Sequence, residues 1–183
     1  MKKTIAVHLA DGFEEIEAVS IIDVLRRADI EVIVVSMTKK LTVTGAHKLT
    51  LLADQLFEDV DYVKVNMIVL PGGMPGASNL DAHEGLKRQI QQFNAAEKDL
   101  AAICAAPLVY GKLGILKGRK AVCYPGFEKY LEGAEILNSL VAESGHIITG
   151  RGPGAAIPFA LKIVSKMVSE EKAKLLASQM LVE

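Results

Sequence analysis

The chain has 183 residues, of which 50% are hydrophobic and 23% are charged, and its formal net charge is −1. This composition predicts one globular domain over residues 1–183. The weak net charge argues against binding to an anionic membrane surface, and the absence of Trp argues against a protein that stacks the bases of single-stranded nucleic acid. Two lysines before an apolar run imitate a signal peptide, but Asp11, Glu14 and Glu15 interrupt it, and no stretch approaches the roughly 20 apolar residues of a membrane span. Because two cysteines do not make a disulfide framework, we expect a soluble protein in a reducing cytoplasm.

Short apolar runs alternate with amphipathic segments along nearly the whole chain. The runs predict strands over residues 4–10, 31–37, 65–70, 99–103 and 119–123, a β-ribbon over 43–53 that turns at Gly45, and short strands around 135–149. Helices are predicted over residues 13–28, from the Gly/Pro-rich loop 71–80 up to residue 96, over 105–114, and twice after 150. Strands separated by helices of this length predict right-handed crossovers and a mostly parallel sheet with helices on both faces.

The residues that directly follow predicted strands carry the strongest expectation of function. In an open parallel sheet the ligand crevice lies beyond the carboxyl ends of the strands, where these residues meet. They are residues 11–17, 71–76, 104–106 and 124–125.

Cys104 ends the predicted strand 99–103 and directly precedes a helix whose early Pro107 suits a first helical turn. A side chain at such a turn stands above the sheet, beside backbone N–H groups and the positive end of the helix dipole. That environment lowers the pKa of a thiol and favours the reactive thiolate, so Cys104 is the strongest candidate for chemistry. The alternative is a small residue packed at a strand end, since free cysteines are often simply buried.

Glu17 is the candidate proton partner of the cysteine. On the predicted first helix it shares one stripe with Ile21, Val24 and Ala28, at helical spacing. Partial burial at the head of an apolar stripe would raise the pKa of its carboxyl, which in the acid form could donate a hydrogen bond to a thiolate. The alternative is an ordinary acid in a first helical turn, where the helix dipole favours it.

The glycine-rich loop after the strand 65–70 offers backbone donors. Glycines let a backbone approach a ligand, so the N–H groups of Gly72 and Gly73, together with that of Ala105, are candidates for an oxyanion hole. Many loops after strands are rich in glycine, and this one does not have the G-x-x-x-x-G-K-[ST] pattern of a phosphate-binding loop. Its place beside the cysteine strand is what favours function.

The remaining candidates give weaker signals. His8 lies within a predicted strand, where a core histidine is the more common finding, and His47 lies near the ribbon turn. Because the chain has no H-E-x-x-H or C-x-x-C motif and no cluster of ligand residues, we expect no metal and no other cofactor. Cys123, also at a strand end, is interpreted as a packed residue, with a resolving thiol as the alternative.

With these residues in place, the chain resembles the ThiJ/PfpI superfamily over almost its full length, in the branch of the Parkinson-disease-associated protein deglycase and its bacterial relatives. Five motifs in compatible order carry the resemblance: ADGFEEIEAV (10–19), DVLRRADIEV (23–32), VLPGGMPGASNL (69–80), AAICAAP (101–107) and GRGPGAAIPFAL (150–161). The resemblance implies a flavodoxin-like three-layer α/β sandwich and a homodimer, to which the apolar first helix (Ile16, Ile21, Ile22) is a candidate contact.

The resemblance also implies roles for particular residues. Cys104 would be a nucleophile whose thiolate is hydrogen-bonded by the protonated carboxyl of Glu17, and Gly73 would supply a backbone N–H. Where many relatives carry a His downstream of the nucleophile, this chain has Tyr124. That difference argues against a Cys–His protease triad, so Tyr124 and, from a partner subunit, His47 are at most accessory residues.

Two functions from different classes follow. The leading hypothesis is a cofactor-independent glyoxalase or protein deglycase, acting on methylglyoxal or on glycated protein side chains in carbonyl and oxidative stress defence. Its Cys104–Glu17 pair would add to an aldehyde and move protons. The alternative is a redox-sensing cysteine protein or stress chaperone with little turnover. A peptidase is disfavoured because the sequence shows no base beyond Glu17.

Overall fold

Seven strands form the central sheet of the computed structural model, which describes residues 2–182. In chain order the strands are β1 (Thr4–Leu9), β2 (Glu31–Ser36), β3 (Thr42–Thr44), β4 (Thr50–Leu52), β5 (Gln55–Leu56), β6 (Met67–Leu70), β7 (Asp99–Ile103), β8 (Lys120–Ala121), β9 (Glu135–Ile136), β10 (Val141–Ser144) and β11 (Ile147–Gly150). The central sheet runs β10-β11-β7-β6-β1-β2-β5, and β3–β4 and β8–β9 form two separate ribbons. All pairs in the central sheet are parallel except β10–β11 at one edge.

Six α-helices within residues 2–182 cover the sheet. They are α1 (Glu15–Arg27), α2 (Gly76–Ala82), α3 (Glu84–Ala95), α4 (Pro107–Lys112), α5 (Ala156–Met167) and α6 (Glu170–Gln179). The α1 helix packs against α5 and α5 against α6, whereas α2 packs against α3 and α4. The chain moves from β1 towards one edge of the sheet and then returns to β6 and β7 on the other side of β1. Right-handed crossovers therefore place the helix group α1, α5 and α6 and the helix group α2, α3 and α4 on opposite faces of the sheet. The flavodoxin-like α/β sandwich implied by the resemblance is therefore confirmed.

The apolar runs form strands because they are buried on both sides. All six residues of β1 and all four of β6 are buried, as continuous hydrophobic strands in a covered parallel sheet should be. The α1 helix begins where the Glu14 side chain accepts the N–H of Glu17 and ends with Arg26 and Arg27, charges that suit the helix dipole. No described helix is long and apolar enough to cross a membrane.

Two predicted elements differ from the structure, and one observed strand was not predicted. The helix expected to run unbroken to residue 96 is divided at His83, whose Nδ1 accepts the N–H of Leu86 at 3.1 Å and caps α3. The strand predicted over 119–123 is reduced to β8, which pairs with β9 outside the central sheet, because β11 already pairs with β7. The short edge strand β5 was not predicted, since two residues carry no periodic signal.

His8 is a core residue, as its position in a strand predicts. Its side chain is fully buried, and its Nε2 lies 2.7 Å from the hydroxyl of Tyr62. Burial lowers the pKa of His8 to about 4, because the charged form would lose its hydration. Of the three predicted contact residues on α1, Ile21 is buried in the core, Ile22 is partly buried and Ile16 is 60% exposed.

Candidate active site

The candidate site lies where three adjacent strands end. The sheet order places β7, β6 and β1 side by side, so their carboxyl ends meet at one edge. Cys104 follows β7, the glycine-rich loop follows β6, and the segment that leads into α1 follows β1. The fold therefore brings together Cys104, Gly72 and Glu17, which are far apart in the sequence.

Cys104 occupies a strained turn. Its φ is 65°, in the left-handed region that non-glycine residues rarely adopt. The conformation is held by two backbone hydrogen bonds, from the N–H of Cys104 to the carbonyl of Gly150 at 2.9 Å and from the N–H of Tyr124 to the carbonyl of Cys104 at 2.8 Å. The side chain is buried, with 7% of the residue exposed. Strain of this kind, about 1–3 kcal/mol, persists where the surroundings fix the geometry, as at a nucleophile.

Glu17 is a fully buried carboxyl with one occupied and one open oxygen. Its Oε2 accepts the N–H of Gly72 at 2.7 Å, whereas Oε1 has no hydrogen-bond partner among the described residues. Its backbone is fixed as well, because the N–H of Glu17 donates to Oε2 of Glu14 at 2.7 Å. The carboxyl interacts with the side chain of Cys104.

Gly72 is packed between the two reactive groups. A Cβ atom at this position would lie 2.6 Å from the Cβ of Cys104 and 2.9 Å from Oε2 of Glu17, so only glycine lets them approach. The N–H of Gly72, which we expected to serve an oxyanion hole, is donated to Glu17 in this structure. The backbone N–H groups of Gly73 and Ala105 instead face the sulfur of Cys104.

Burial governs the proton of Glu17. Desolvation raises the pKa of its carboxyl from 4.5 to about 7, and the hydrogen bond from Gly72 and the interaction with Cys104 offset only part of this increase. At neutral pH both the protonated and the ionised carboxyl are therefore populated. A group with this pKa can donate and accept a proton under the same conditions, which is what general acid–base chemistry requires.

The pKa of the Cys104 thiol differs from the sequence-based expectation. Burial raises it to about 12, and the negative charge of Glu17 adds to the increase, while the N–H groups of Gly73 and Ala105 lower it. The expected lowering is thus present but outweighed by desolvation. Since the increase depends partly on an ionised Glu17, protonation of Glu17 favours the thiolate. The charge state of each group therefore influences the pKa of the other.

The accessory residues lie around this pair in different ways. Tyr124 is joined to Cys104 through its backbone, and the residue is 47% exposed. His47 is bound within its own chain, because its N–H and its Nδ1 lie 2.6 and 2.9 Å from the two carboxylate oxygens of the buried Glu15. No hydrogen bond among the described residues joins His47 to Cys104 or Glu17.

Cys123 is a second buried free cysteine, and burial raises the pKa of its thiol to about 11. One cluster in the described residues places three residues of metal-ligand type together: the ligand atoms of Glu14, Glu15 and His47 lie within 4.8 Å of one another. Both carboxylates already accept hydrogen bonds from protein groups. The cluster is thus used to hold the loop to α1, a role that no sequence motif indicated.

Comparison with known proteins identifies the family. The sequence pattern of the DJ-1/PfpI family matches residues 3–166. Protein DJ-1 homolog B of Arabidopsis thaliana is 40% identical over 179 residues, 97% of this chain, but the chain spans only 41% of that relative's length. Glutathione-independent glyoxalase DJR-1.2 of Caenorhabditis elegans is 34% identical over 164 residues, 87% of this chain and 85% of the relative.

Solved structures agree with the sequence relatives. The structure described as Toxoplasma gondii DJ-1, oxidized, superimposes with a TM-score of 0.94 and 39% identity, covering 98% of both chains. The likeness therefore includes every strand and helix that positions Cys104 and Glu17. Together with the family match over most of the sequence, it shows that this chain belongs to the DJ-1/PfpI family, in its DJ-1 branch.

Proposed function

We propose that this protein is a cofactor-independent glyoxalase, with deglycase activity on early glyoxal adducts of protein side chains, and that it serves carbonyl and oxidative stress defence. One observation carries the proposal: a fully buried carboxyl, Glu17, whose pKa is raised to about 7, interacts with a nucleophilic side chain, Cys104. The glyoxalase name of the Caenorhabditis elegans relative supports the same activity.

The chemistry begins with the shared proton. When the proton lies on Glu17, the Cys104 thiolate adds to the aldehyde carbon of methylglyoxal and forms a C–S bond, and the aldehyde oxygen takes a proton to give a hemithioacetal. On an early glycation adduct, the same attack releases the amine or thiol of the glycated protein. No group outside the protein other than the aldehyde and water is needed.

Proton transfer then completes the reaction. Glu17 removes the hydrogen of the former aldehyde carbon as a proton and the neighbouring carbon regains one, which converts the hemithioacetal to a thioester. The backbone N–H groups of Gly73 and Ala105 stabilise the oxyanions that form beside the sulfur. Water cleaves the thioester to lactate and restores the thiol, so methylglyoxal and water give lactate overall.

The direct test is lactate formation from methylglyoxal without glutathione. We expect fast, saturable lactate production that tracks the folded protein through purification. Purified protein that forms lactate no faster than buffer would contradict the proposal.

A second candidate function is a redox sensor, and the oxidised state named for the Toxoplasma gondii structure favours it. A Cys104 thiolate oxidised by a hydroperoxide gains one oxygen as sulfenic acid or two as sulfinic acid, and Oε1 of Glu17 could donate a hydrogen bond to the product. Intact-mass measurement after mild peroxide would show this gain, and Cys104→Ala would lack it. Oxidation without turnover of methylglyoxal would select the sensor.

We propose further that the protein acts as a homodimer in the cytoplasm. Ile16 and Val19 on α1 are 60% and 46% exposed, which leaves an apolar strip beside the candidate site. Both cysteines are free, as a reducing compartment would keep them. Light scattering is expected to give twice the mass of one chain, and the mass of a single chain would exclude the dimer.

A further inference from the structure

We infer that a side pocket adjoining the active-site cysteine selects the substrate. It favours 2-oxoaldehydes whose apolar substituent is branched and larger than the methyl group of methylglyoxal. This inference rests on the proposed function and adds the substrate class. The pocket is lined mainly by Tyr124, Pro125, Leu140, Arg151, Pro153 and Gly154. Except for the guanidinium of Arg151 and the hydroxyl of Tyr124, these side chains are apolar.

Backbone hydrogen bonds place the pocket next to Cys104. One wall follows Tyr124, whose N–H donates to the carbonyl of Cys104 at 2.8 Å. The other wall follows Gly150, whose carbonyl accepts the N–H of Cys104 at 2.9 Å. The walls meet at Gly152, where a Cβ atom would lie 3.2 Å from the ring of Tyr124. Both walls thus adjoin the backbone of Cys104, which is why we assign the pocket to the substituent of a molecule bonded to its sulfur.

The size and chemistry of the pocket favour a short apolar group. Its volume of about 320 Å³ lies at the small end of the range for ligand pockets, about 300–1,000 Å³. Tyr124 and Leu140 line it although they are 47% and 52% exposed, so apolar surface is available to a ligand. Nη1 of Arg151 donates a hydrogen bond to Oδ1 of Asn138 at 2.9 Å, and this bond holds the guanidinium in place.

Gly154 provides a way to fill the pocket. A Cβ atom at this position meets nothing within 4 Å, and its backbone needs no left-handed conformation. Because Gly154 lines the pocket, Gly154→Leu should add an isobutyl group to this lining without strain in the backbone. Gly154→Ala is the matched control, because it changes the same backbone position and leaves most of the space open.

The test uses chloroketones, which alkylate Cys104 without any turnover: the thiolate bonds to the chloromethyl carbon and chloride leaves. We would compare chloroacetone with 1-chloro-4-methylpentan-2-one, with rates divided by those for a small free thiol and the adduct assigned to Cys104 by peptide mapping. Burying three more carbon atoms should favour the branched probe by about tenfold or more in wild type and in Gly154→Ala. In Gly154→Leu the ratio should fall to about one.

Equal corrected rates in wild type, or a ratio that Gly154→Leu leaves unchanged, would overturn the pocket assignment. A third probe, 5-chloro-4-oxopentanoate, tests the guanidinium of Arg151, and the inference is wrong if this carboxylate reacts fastest. Because alkylation needs no catalysis, the outcome separates from that of the proposed function. A protein that is inert towards methylglyoxal but still prefers the branched probe would contradict the proposed function and would still support the pocket assignment.

Discussion

Cys104→Ser is expected to reduce lactate formation from methylglyoxal to the uncatalysed rate. A buried serine hydroxyl has a far higher pKa than a thiol, and Glu17 cannot make it an effective nucleophile. Glu17→Gln is expected to lower kcat by at least about 100-fold, the usual contribution of a general acid–base group. The glutamine can still accept the N–H of Gly72 and fill the same volume, so the loss would report proton transfer and not packing.

Cys123→Ser is the matched control for the cysteine. It changes the second buried thiol, on the segment that is hydrogen-bonded to Cys104 through Tyr124. Turnover is expected to stay within a few-fold of wild type. Steady-state kinetics of the three variants, with folding checked by circular dichroism, test the roles assigned to Cys104 and Glu17. Wild-type activity in Cys104→Ser would refute the role assigned to the thiol.

Gly72→Ala is expected to damage both stability and activity. The added methyl group would lie 2.6 Å from the Cβ of Cys104 and 2.9 Å from Oε2 of Glu17, far inside contact distance. Overpacking of this kind costs about 1–3 kcal/mol in the free energy of unfolding. Because it must push the thiol and the carboxyl apart, turnover should fall by about 100-fold or more. Urea unfolding and kinetics on the same preparation measure the two effects.

Gly118→Ala separates these two effects. Gly118 has a φ of 71°, and a Cβ there meets nothing within 4 Å. The variant should therefore lose about 1–2 kcal/mol through backbone strain alone and keep its turnover. If Gly72→Ala lost stability but kept full activity, as Gly118→Ala should, the close approach of Cys104 to Glu17 would not be what catalysis requires.

The elements nearest the site could be predicted because their signals are local. The apolar run 99–103 coincides with β7, and the run 4–10 with β1 apart from its last residue, since buried parallel strands leave continuous hydrophobic stretches. The stripe that begins at Glu17 correctly placed this carboxyl on the inner face of α1. These inferences needed only periodicity and the rule that crevices form at the carboxyl ends of strands.

What could not be predicted depends on contacts between distant segments. The positive φ of Cys104 is imposed by hydrogen bonds to Gly150 and Tyr124, which no short window of sequence contains. The occupied N–H of Gly72 follows from the position of Glu17, 55 residues earlier in the chain. The predicted lowering of the Cys104 thiol pKa was wrong for the same reason. Burial in the folded chain raises this pKa by more than the local N–H donors lower it.

The ribbon β8–β9 shows the same limit in the fold. The run 119–123 has the composition of a strand, but its place in the central sheet is taken by β11, which comes later in the chain. Strand propensity indicates that a segment can adopt an extended conformation, but it does not indicate with which strand the segment will pair.

The claim that Cys104 and Glu17 share one proton is tested most directly by the pH dependence of Cys104 alkylation in wild type and in Glu17→Gln. Below pH 7 both groups of the wild-type pair are protonated. As the pH rises through the pKa of Glu17, about 7, the pair loses one proton and a fixed fraction becomes thiolate, so the rate should rise and then level off.

In Glu17→Gln nothing near the sulfur ionises at pH 7, and burial keeps the thiol protonated. The midpoint should therefore move above the ordinary thiol value of about 8.5. Iodoacetamide rates at a series of pH values, with peptide mapping of Cys104, give both midpoints. A wild-type midpoint near 7 that shifts above about 8.5 in the variant is the predicted result, and identical midpoints in the two proteins would contradict the shared proton.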